Sequence, residues 1–305
     1  MERSIETQAS GILLVNKPKG LSSAQAVHRV KKILNCNKIG HTGTLDPFAT
    51  GLLICCINRA TKLSQLFLMG DKRYQATLKL GIETDTQDIT GKVIARYDVP
   101  KLAEKTIIES FQNFVGAYDQ LPPYYSALKH NGIPLYQLAR KGIQIQKPSR
   151  RVTIYSIEII NISLPLIQFD VRCSSGTYIR TLSTDIGKCL GCGAYLDQLC
   201  RTESCDFHLT NAYTFEELNQ VGDLKTPHEI VLPMVQALQK YETWRADHQL
   251  ISKIQCGMAI RQTDFPDNFW HSDKTIKVVD HTNKLVAIMR KISEHPYFDI
   301  IRILE

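Results

Sequence analysis

A chain of 305 residues with 43% apolar and 22% charged side chains has the balance of a soluble globular protein and the length for more than one domain. Its formal net charge of +7 favours an anionic partner, nucleic acid among them. No apolar run is long enough to span a bilayer, and neither Met1-Glu2-Arg3-Ser4-Ile5-Glu6 nor the short run Gly11-Ile12-Leu13-Leu14-Val15 has a signal-peptide pattern, so a cytoplasmic protein with no membrane partner is expected.

Residues 12–15 read as a strand and Lys17-Pro18-Lys19-Gly20 as a turn. Ser22 or Ser23 then caps a helix with Val27, Val30, Ile33 and Leu34 on its apolar face. Next comes Gly40-His41-Thr42-Gly43-Thr44-Leu45-Asp46-Pro47. Its two glycines allow backbone angles closed to other residues, and Pro47 biases Asp46 away from helix, so the carboxylate is expected on a turn that can aim it into a cleft. Taken alone, Asp before Pro is ordinary turn chemistry.

Residues 51–57 follow as a buried strand and 61–68 as a short helix. Tyr74, Ala76, Leu78 and Leu80 alternate with Gln75, Thr77 and Lys79, which is strand periodicity. On that basis alone Tyr74 is a core aromatic. Glu83-Thr84-Asp85-Thr86-Gln87-Asp88 lacks the ligand order of an EF-hand and reads as a hairpin loop closed by Gly91. Ile107, Ile108, Phe111, Phe114 and Val115 fit a helix.

Between Asp119 and Glu158 there is no acidic residue, while Lys129, Arg140, Lys141, Lys147, Arg150 and Arg151 interleave with Tyr124, Tyr125, Tyr136 and Tyr155. Cations for phosphates and tyrosines for stacking on bases suit an RNA-binding insertion. Pro122-Pro123 and Gly132 suggest that it projects from the core, the plainer alternative being a solvated basic loop. Residues 151–160 and 166–173 read as strands. Ser174-Ser175-Gly176-Thr177 leads into a helix with Ile179, Leu182 and Ile186 on one face, Thr177 as N-cap and Arg180 in the third helical position. A cation there opposes the helix dipole, which suggests that Arg180 meets an anion, a carboxylate or a phosphate; otherwise it is an exposed arginine.

Thr214 to Glu217 forms a capping box ahead of a further helix. Past Lys240 helix signals become few, and residues 274–280, 284–291 and 299–304 read as strands of a small β domain made basic by Lys253, Arg261, Lys274, Lys277, Lys284, Arg290 and Lys291. The nine cysteines are an odd number without an export signal, which argues for reduced thiols. Cys189-x-x-Cys192 with Cys200 and Cys205 is too closely spaced for a zinc ribbon, so no metal is expected and small buried thiols are the better reading. Walker, G-x-G-x-x-G and H-E-x-x-H motifs are missing.

Four motifs, Val15-Asn16-Lys17-Pro18-Lys19-Gly20, Gly40 through Gly51, Asp71-Lys72-Arg73-Tyr74 and Gly176-Thr177-Tyr178-Ile179-Arg180, resemble in order and spacing those of the TruB-type tRNA pseudouridine synthases. The resemblance runs from about residue 11 to about residue 201 and more loosely beyond. It implies an α+β fold with a mixed, largely antiparallel sheet flanked by helices, and a small C-terminal β-barrel-like PUA domain. The implied boundaries are 1–240 for the catalytic domain, with a thumb-like insertion at about 122–151, and 241–305 for the PUA-like domain. The implied reaction converts uridine-55 in the T arm of tRNA to pseudouridine. The resemblance makes Asp46 the catalyst, Arg180 its partner, Tyr74 an active-site ring, His41 a residue that helps extrude the nucleotide, Leu199 an apolar pocket residue and Lys17 mainly structural. Where the family commonly has two arginines after the leucine, this chain has Cys200-Arg201.

The residue types agree with that chemistry. Isomerising uridine needs a carboxylate, a cation beside it and a ring to hold the detached base, but no net redox change, so no cofactor and no metal are implied. The target must leave its stack to reach Asp46. A monomer is expected, and the uninterrupted insertion favours action on bare tRNA without guide RNA, since the guided relatives look shorter there. Two rival readings remain from the residues, a pure RNA-binding module and a metal-dependent nucleic-acid hydrolase built on Asp46, Asp85 and Asp88; within the family, a guide-RNA-dependent synthase of the dyskerin type is the third.

Overall fold

In a computed structural model the described residues are 9–223, 227–265, 275–291 and 297–304. A ten-stranded mixed sheet organises them. Its main path runs Leu232–Pro233, Gly11–Lys17, Thr50–Ile57, Ala194–Ser204, Lys72–Leu80, Leu166–Cys173, Arg150–Ser163, Gly116–Gln120. Neighbours along it are antiparallel except at the junction of Thr50–Ile57 with Ala194–Ser204, where Cys200 faces Thr50 and Arg201 faces Gly51. The expected α+β class and mixed, largely antiparallel sheet are thus present.

Period-two alternation explains how the first half of the sheet is covered on both sides. Leu13, Val15, Leu53, Cys55 and Ile57 pack with Ala26, Val30 and Leu34 of the helix Ser23–Leu34 and with Phe215 and Leu218. Ile12, Leu14, Leu52, Ile54 and Cys56 turn the other way and share a core with Leu238, Val279, Leu285, Ile288 and Leu304. The C-terminal module is therefore docked through buried apolar side chains. A third core joins Leu45, Phe48, Tyr74, Leu199, Phe111 and Phe169 with Ile179, Leu182 and Ile186 of the helix Ile179–Cys189.

Ser22 caps the first helix through a reciprocal box with Gln25, and Thr214 does the same with Glu217. Several local expectations need correction. The helix expected over 61–68 is a 3₁₀ turn, Asn58–Leu63, followed by a short α-helix, Ser64–Leu68. The helix carrying Ile107 ends at Gln112, leaving Val115 exposed. Thr177 is not an N-cap: its hydroxyl donates to the Ser174 carbonyl at 2.9 Å, and the helix starts at Ile179 after an extended Tyr178 with no side-chain cap. Arg180 is consequently the second helical residue.

The C-terminal strands are Glu242–Arg245, Thr275–Val279, Leu285–Lys291 and Phe298–Ile303, in that spatial order, with the first pair parallel. No closed barrel is found among the described residues, and this is an open four-stranded sheet. It carries a helix, His248–Gln255, that the sequence reading passed over although Asp247 caps it by accepting from the Leu250 N–H at 2.8 Å. Lys274 and the N-terminal residues 1–6 lie outside the described residues. No helix among the described residues is long and apolar enough to cross a membrane.

Candidate active site

The Asp46 turn is held from three sides. Ser23, nearly fully buried, accepts from the Leu45 N–H at 2.7 Å and donates to the Leu45 carbonyl at 2.9 Å. Gly20 N–H donates to Pro47 O at 2.8 Å, tying the turn to the Lys17-Pro18-Lys19-Gly20 motif. Arg201, 1% exposed, reaches underneath: its Nε donates to Leu52 O at 2.7 Å and its Nη2 to Gly43 O at 3.1 Å. Gly51 is required beside it, because a Cβ there would lie 2.4 Å from the Arg201 carbonyl oxygen and its φ is +99°.

Above the turn, Arg180 Nε contacts Asp46 Oδ2 at 2.9 Å. The remaining guanidinium nitrogens are also engaged, Nη1 donating to Thr86 O at 2.9 Å and Nη2 to Tyr125 O at 2.8 Å. Asp88 supplies a second carboxylate 3.7 Å from Nη1. Its own Oδ1 accepts from the Thr86 hydroxyl, the Thr90 N–H and the Thr90 hydroxyl. The Arg180 side chain is 4% exposed while that of Asp46 is 33% exposed, so the cation is locked in and the carboxylate faces the open. Burial holds the Asp46 carboxyl above its ordinary value; Arg180 and Lys17 oppose this and Asp88 adds to it.

Tyr74 and Leu199 stand on neighbouring strands, with Arg201 opposite Tyr74 and Ala76 opposite Leu199, and both belong to the core that includes Leu45 and Phe48 beside Asp46. Burial raises the Tyr74 hydroxyl, with Arg201 pulling the other way, which disfavours a phenolate and leaves the ring as its useful part. His41 ends the strand Ile39–His41, facing Cys55. Burial, aided by Arg201, keeps its imidazole neutral, and its buried Nδ1 has no hydrogen-bond partner among the described residues.

Lys17 is fully buried, with Nζ donating to Pro18 O at 2.9 Å and Leu21 O at 2.7 Å. Burial pushes its ammonium down to about 8, against the pull of Asp46. A base depressed in the folded state contributes stability that is complete above its unfolded value of 10.5 and is lost as pH falls through about 8. Wild-type stability relative to Lys17→Met is therefore expected to climb between pH 8 and 10.5 in urea unfolding, and a flat difference would mean a solvated ammonium.

The cations of the 122–151 segment divide into two groups. Lys129, Arg140 and Lys141 are exposed, on the hairpin Lys129–His130 with Ile133–Pro134 and on the helix Leu135–Arg140 and the residue after it. Arg140 lies over the Tyr136 ring at 5.6 Å. Lys147 reaches His130 Nδ1 at 3.4 Å. Arg150 and Arg151 belong instead to the main sheet, on the strand Arg150–Ser163 next to its edge strand Gly116–Gln120, Arg150 over the Tyr178 ring at 4.4 Å and Arg151 paired to Asp119 at 3.2 Å.

Asp85 accepts from the Lys92 N–H at 2.8 Å as part of its hairpin. Among the described residues no group of His, Cys, Asp and Glu is arranged to hold a metal, and all nine cysteines are free. Sequence reasoning missed two residues here. Asp88 was placed in a hairpin loop and otherwise entered only the rival hydrolase reading, and no local signal shows that this loop folds back onto Arg180. Arg201 entered only as the arginine left beside Cys200, which stands where the family commonly has another, though an arginine inside an otherwise strand-like run Leu199-Cys200-Arg201-Thr202 is a visible oddity.

A carboxylate, a buried cation and an aromatic ring gathered on a mixed sheet are the groups that isomerisation of a nucleotide base requires. Residues 31–179 match the N-terminal domain of TruB family pseudouridylate synthases, and residues 180–239 match the C-terminal domain of tRNA pseudouridylate synthase B. The chain belongs to the TruB family and is a pseudouridine synthase, an isomerase. It is 51% identical over 217 residues to the tRNA pseudouridine synthase B of Bordetella avium (strain 197N), covering 70% of this chain and 89% of that protein. Against the enzyme of the same name from Clostridium tetani (strain Massachusetts / E88) it is 37% identical over 295 residues, 97% of this chain and 99% of the other. In three dimensions it resembles a chain of a Cbf5-Nop10-Gar1 complex with a TM-score of 0.71 at 23% identity, covering 97% of this chain and 85% of that one. A chain from an H/ACA RNP bound to a substrate RNA containing 2'-deoxyuridine also scores 0.71, at 22% identity and with the same coverage. These two likenesses establish the shared fold.

Proposed function

We propose that this chain isomerises uridine-55 in the T arm of tRNA to pseudouridine, with Asp46 as the essential catalyst. The observation that carries the reading is the 2.9 Å contact between a part-open Asp46 carboxylate and a buried Arg180. The relatives named tRNA pseudouridine synthase B supply the substrate class. In the reaction the N1–C1' bond breaks, a C5–C1' bond forms, the C5 proton leaves to solvent and N1 takes up a proton. Nothing is oxidised or reduced overall, and the chain's own groups supply what is needed.

Asp46 acts on the sugar or the base, Arg180 holds it, and the Tyr74 ring and Leu199 line the place where the uracil is retained. His41, whose Nδ1 is buried and unpartnered, is suited to receive the extruded nucleotide. Lys129, Arg140, Lys141, Lys147, Arg150 and Arg151 are proposed to track the phosphates of the T arm. On this reading residues 1–240 carry the chemistry, and 241–305 form a PUA-like RNA-binding module. The enzyme works as a monomer in the cytoplasm, without guide RNA, metal or cofactor.

The test is the purified chain with an unmodified tRNA transcript tritiated at uridine C5, in EDTA and without added RNA. Tritium release confined to position 55, with the strand intact, is the expected result. Binding without release would favour an RNA-binding module, cleavage suppressed by EDTA a hydrolase, and release only with a guide a guided synthase.

A further inference from the structure

Gln120 is a fully buried amide at the end of the strand Gly116–Gln120, where the chain leaves the sheet for the 122–151 insertion. Its carboxamide closes on a single residue. Oε1 accepts from the Tyr178 N–H at 2.7 Å and Nε2 donates to the Tyr178 carbonyl at 3.0 Å. Nε2 also meets the Tyr118 hydroxyl, which keeps the amide from turning. Tyr178 is the extended residue that opens the helix Ile179–Cys189, and its own side chain makes no capping bond. Arg180 follows directly in the first turn of that helix.

Both roots of the insertion converge on this turn. On the outgoing side, Gln120 grips the Tyr178 backbone and the Tyr125 carbonyl accepts from Arg180 Nη2 at 2.8 Å. On the returning side, Arg150 lies over the Tyr178 ring. An amide's donor and acceptor lie on one rigid edge, so two bonds to the same residue fix both its position and its rotation. The guanidinium so placed has only short bonds to make, and a displacement of about 1 Å would break them.

We propose that Gln120 is a positioning residue for the isomerisation, its carboxamide setting the start of the helix so that Arg180 meets Asp46 and making that ion pair answer to the seating of the RNA-gripping insertion. The inference rests on the reaction proposed above. It predicts a rate effect without a binding effect, because Gln120 is fully buried and its carboxamide is engaged by Tyr178 and Tyr118, leaving it no group to offer the RNA. It also predicts a change in pH dependence. Asp46 is faced by Arg180 and Lys17 as cations and by Asp88 as a like charge, so a retracted Arg180 leaves the carboxyl harder to ionise.

The experiment compares full-length wild type, Gln120→Leu and Tyr118→Phe in single-turnover pseudouridine formation on a tRNA transcript, with affinity measured by filter binding and the rate followed across pH. Gln120→Leu is expected to slow the chemical step by roughly ten- to a hundred-fold, with tRNA affinity unchanged and the acid limb of the profile moved to higher pH. Tyr118→Phe, which only frees the amide to turn, shifts both in the same direction by less. A residue needed merely for folding would lower thermal stability yet leave the rate and the acid limb of the folded enzyme at wild-type values, and that result overturns the inference. Should Gln120→Leu not fold, Tyr118→Phe decides by the same criterion. An inactive wild type would bring down the reaction itself, whereas active wild type with unaffected variants removes only the role given to Gln120.

Discussion

Asp46→Asn is expected to abolish pseudouridine formation while leaving the folded protein at least as stable as wild type. Loss on the order of a thousand-fold or more follows if the carboxylate forms or breaks a bond or moves a proton, since asparagine keeps the shape and can do neither. Stability follows from the direction of the carboxyl shift. Burial raises Asp46 above its ordinary 3.8, and an acid raised in the folded state contributes stability only below its unfolded value, losing that contribution as pH rises through the folded one. At neutral pH the charge is therefore carried at a cost, which asparagine removes. Arg180 is not stranded by the change, because Asp88 and the Thr86 and Tyr125 carbonyls remain. Tritium release on a tRNA transcript and urea unfolding at neutral pH check the two halves. Residual activity near a tenth of wild type would remove Asp46 as the catalyst, and a clearly lowered urea midpoint would mean that the pair with Arg180 is mainly structural.

Arg180→Met is expected to fail on both counts. Taking one partner from a buried ion pair costs about 3–5 kcal/mol, because the charges left behind have lost their compensation. Here the groups left behind are two carboxylates. Asp88 is 4% exposed and Asp46 is part-buried beside it, so with the guanidinium gone burial and the like charge of Asp88 act on the Asp46 carboxyl with less to oppose them. The sign gives the pH course. A folded Asp46 carboxyl raised further above 3.8 stabilises nothing above that range, so the deficit against wild type is small in acid and widens as pH rises towards neutrality. Arg180→Lys restores the charge without the planar fork that reaches Asp46, Thr86 and Tyr125 together, and little activity is expected to return. Urea unfolding from pH 4 to 8, alongside tritium release, tests this; a deficit independent of pH would mean that lost packing, rather than unpaired charge, is what the substitution removes.

Some of the site was legible from single residues. The glycines and proline around Asp46 announced a turn, and alternation around Tyr74 announced a buried strand residue. Arg180 stood out as a cation near a helix start, although the cap was misread: Thr177 turns its hydroxyl back to Ser174, and the helix begins after Tyr178. From the residues alone the partner of Arg180 was not legible beyond its negative charge; only the family resemblance paired it with Asp46. Asp88 looked like one more acid in a hairpin loop, and only the folded chain shows that loop lying against the helix, with Thr181 bonded to Gln87 at 3.0 Å. Strands were expected past Lys240 and are present, but where a barrel was expected the described residues make an open sheet with a capped helix beside it.

What the sequence determined by itself lies within a few residues of where it is written. The Ser22–Gln25 and Thr214–Glu217 boxes, the Asp46 turn and the alternation of the strands are set by φ restriction, side-chain reach and pleat, and these need no distant partner. What only the tertiary structure decided is which distant groups meet. Arg201 bonds to Leu52, Arg180 to Asp46, Thr86 and Tyr125, and Gln120 to Tyr178, each across a long stretch of chain. Those meetings depend on strand order and on register across the whole sheet. Both are selected by burying three cores at once, a sum over the molecule that no local window contains.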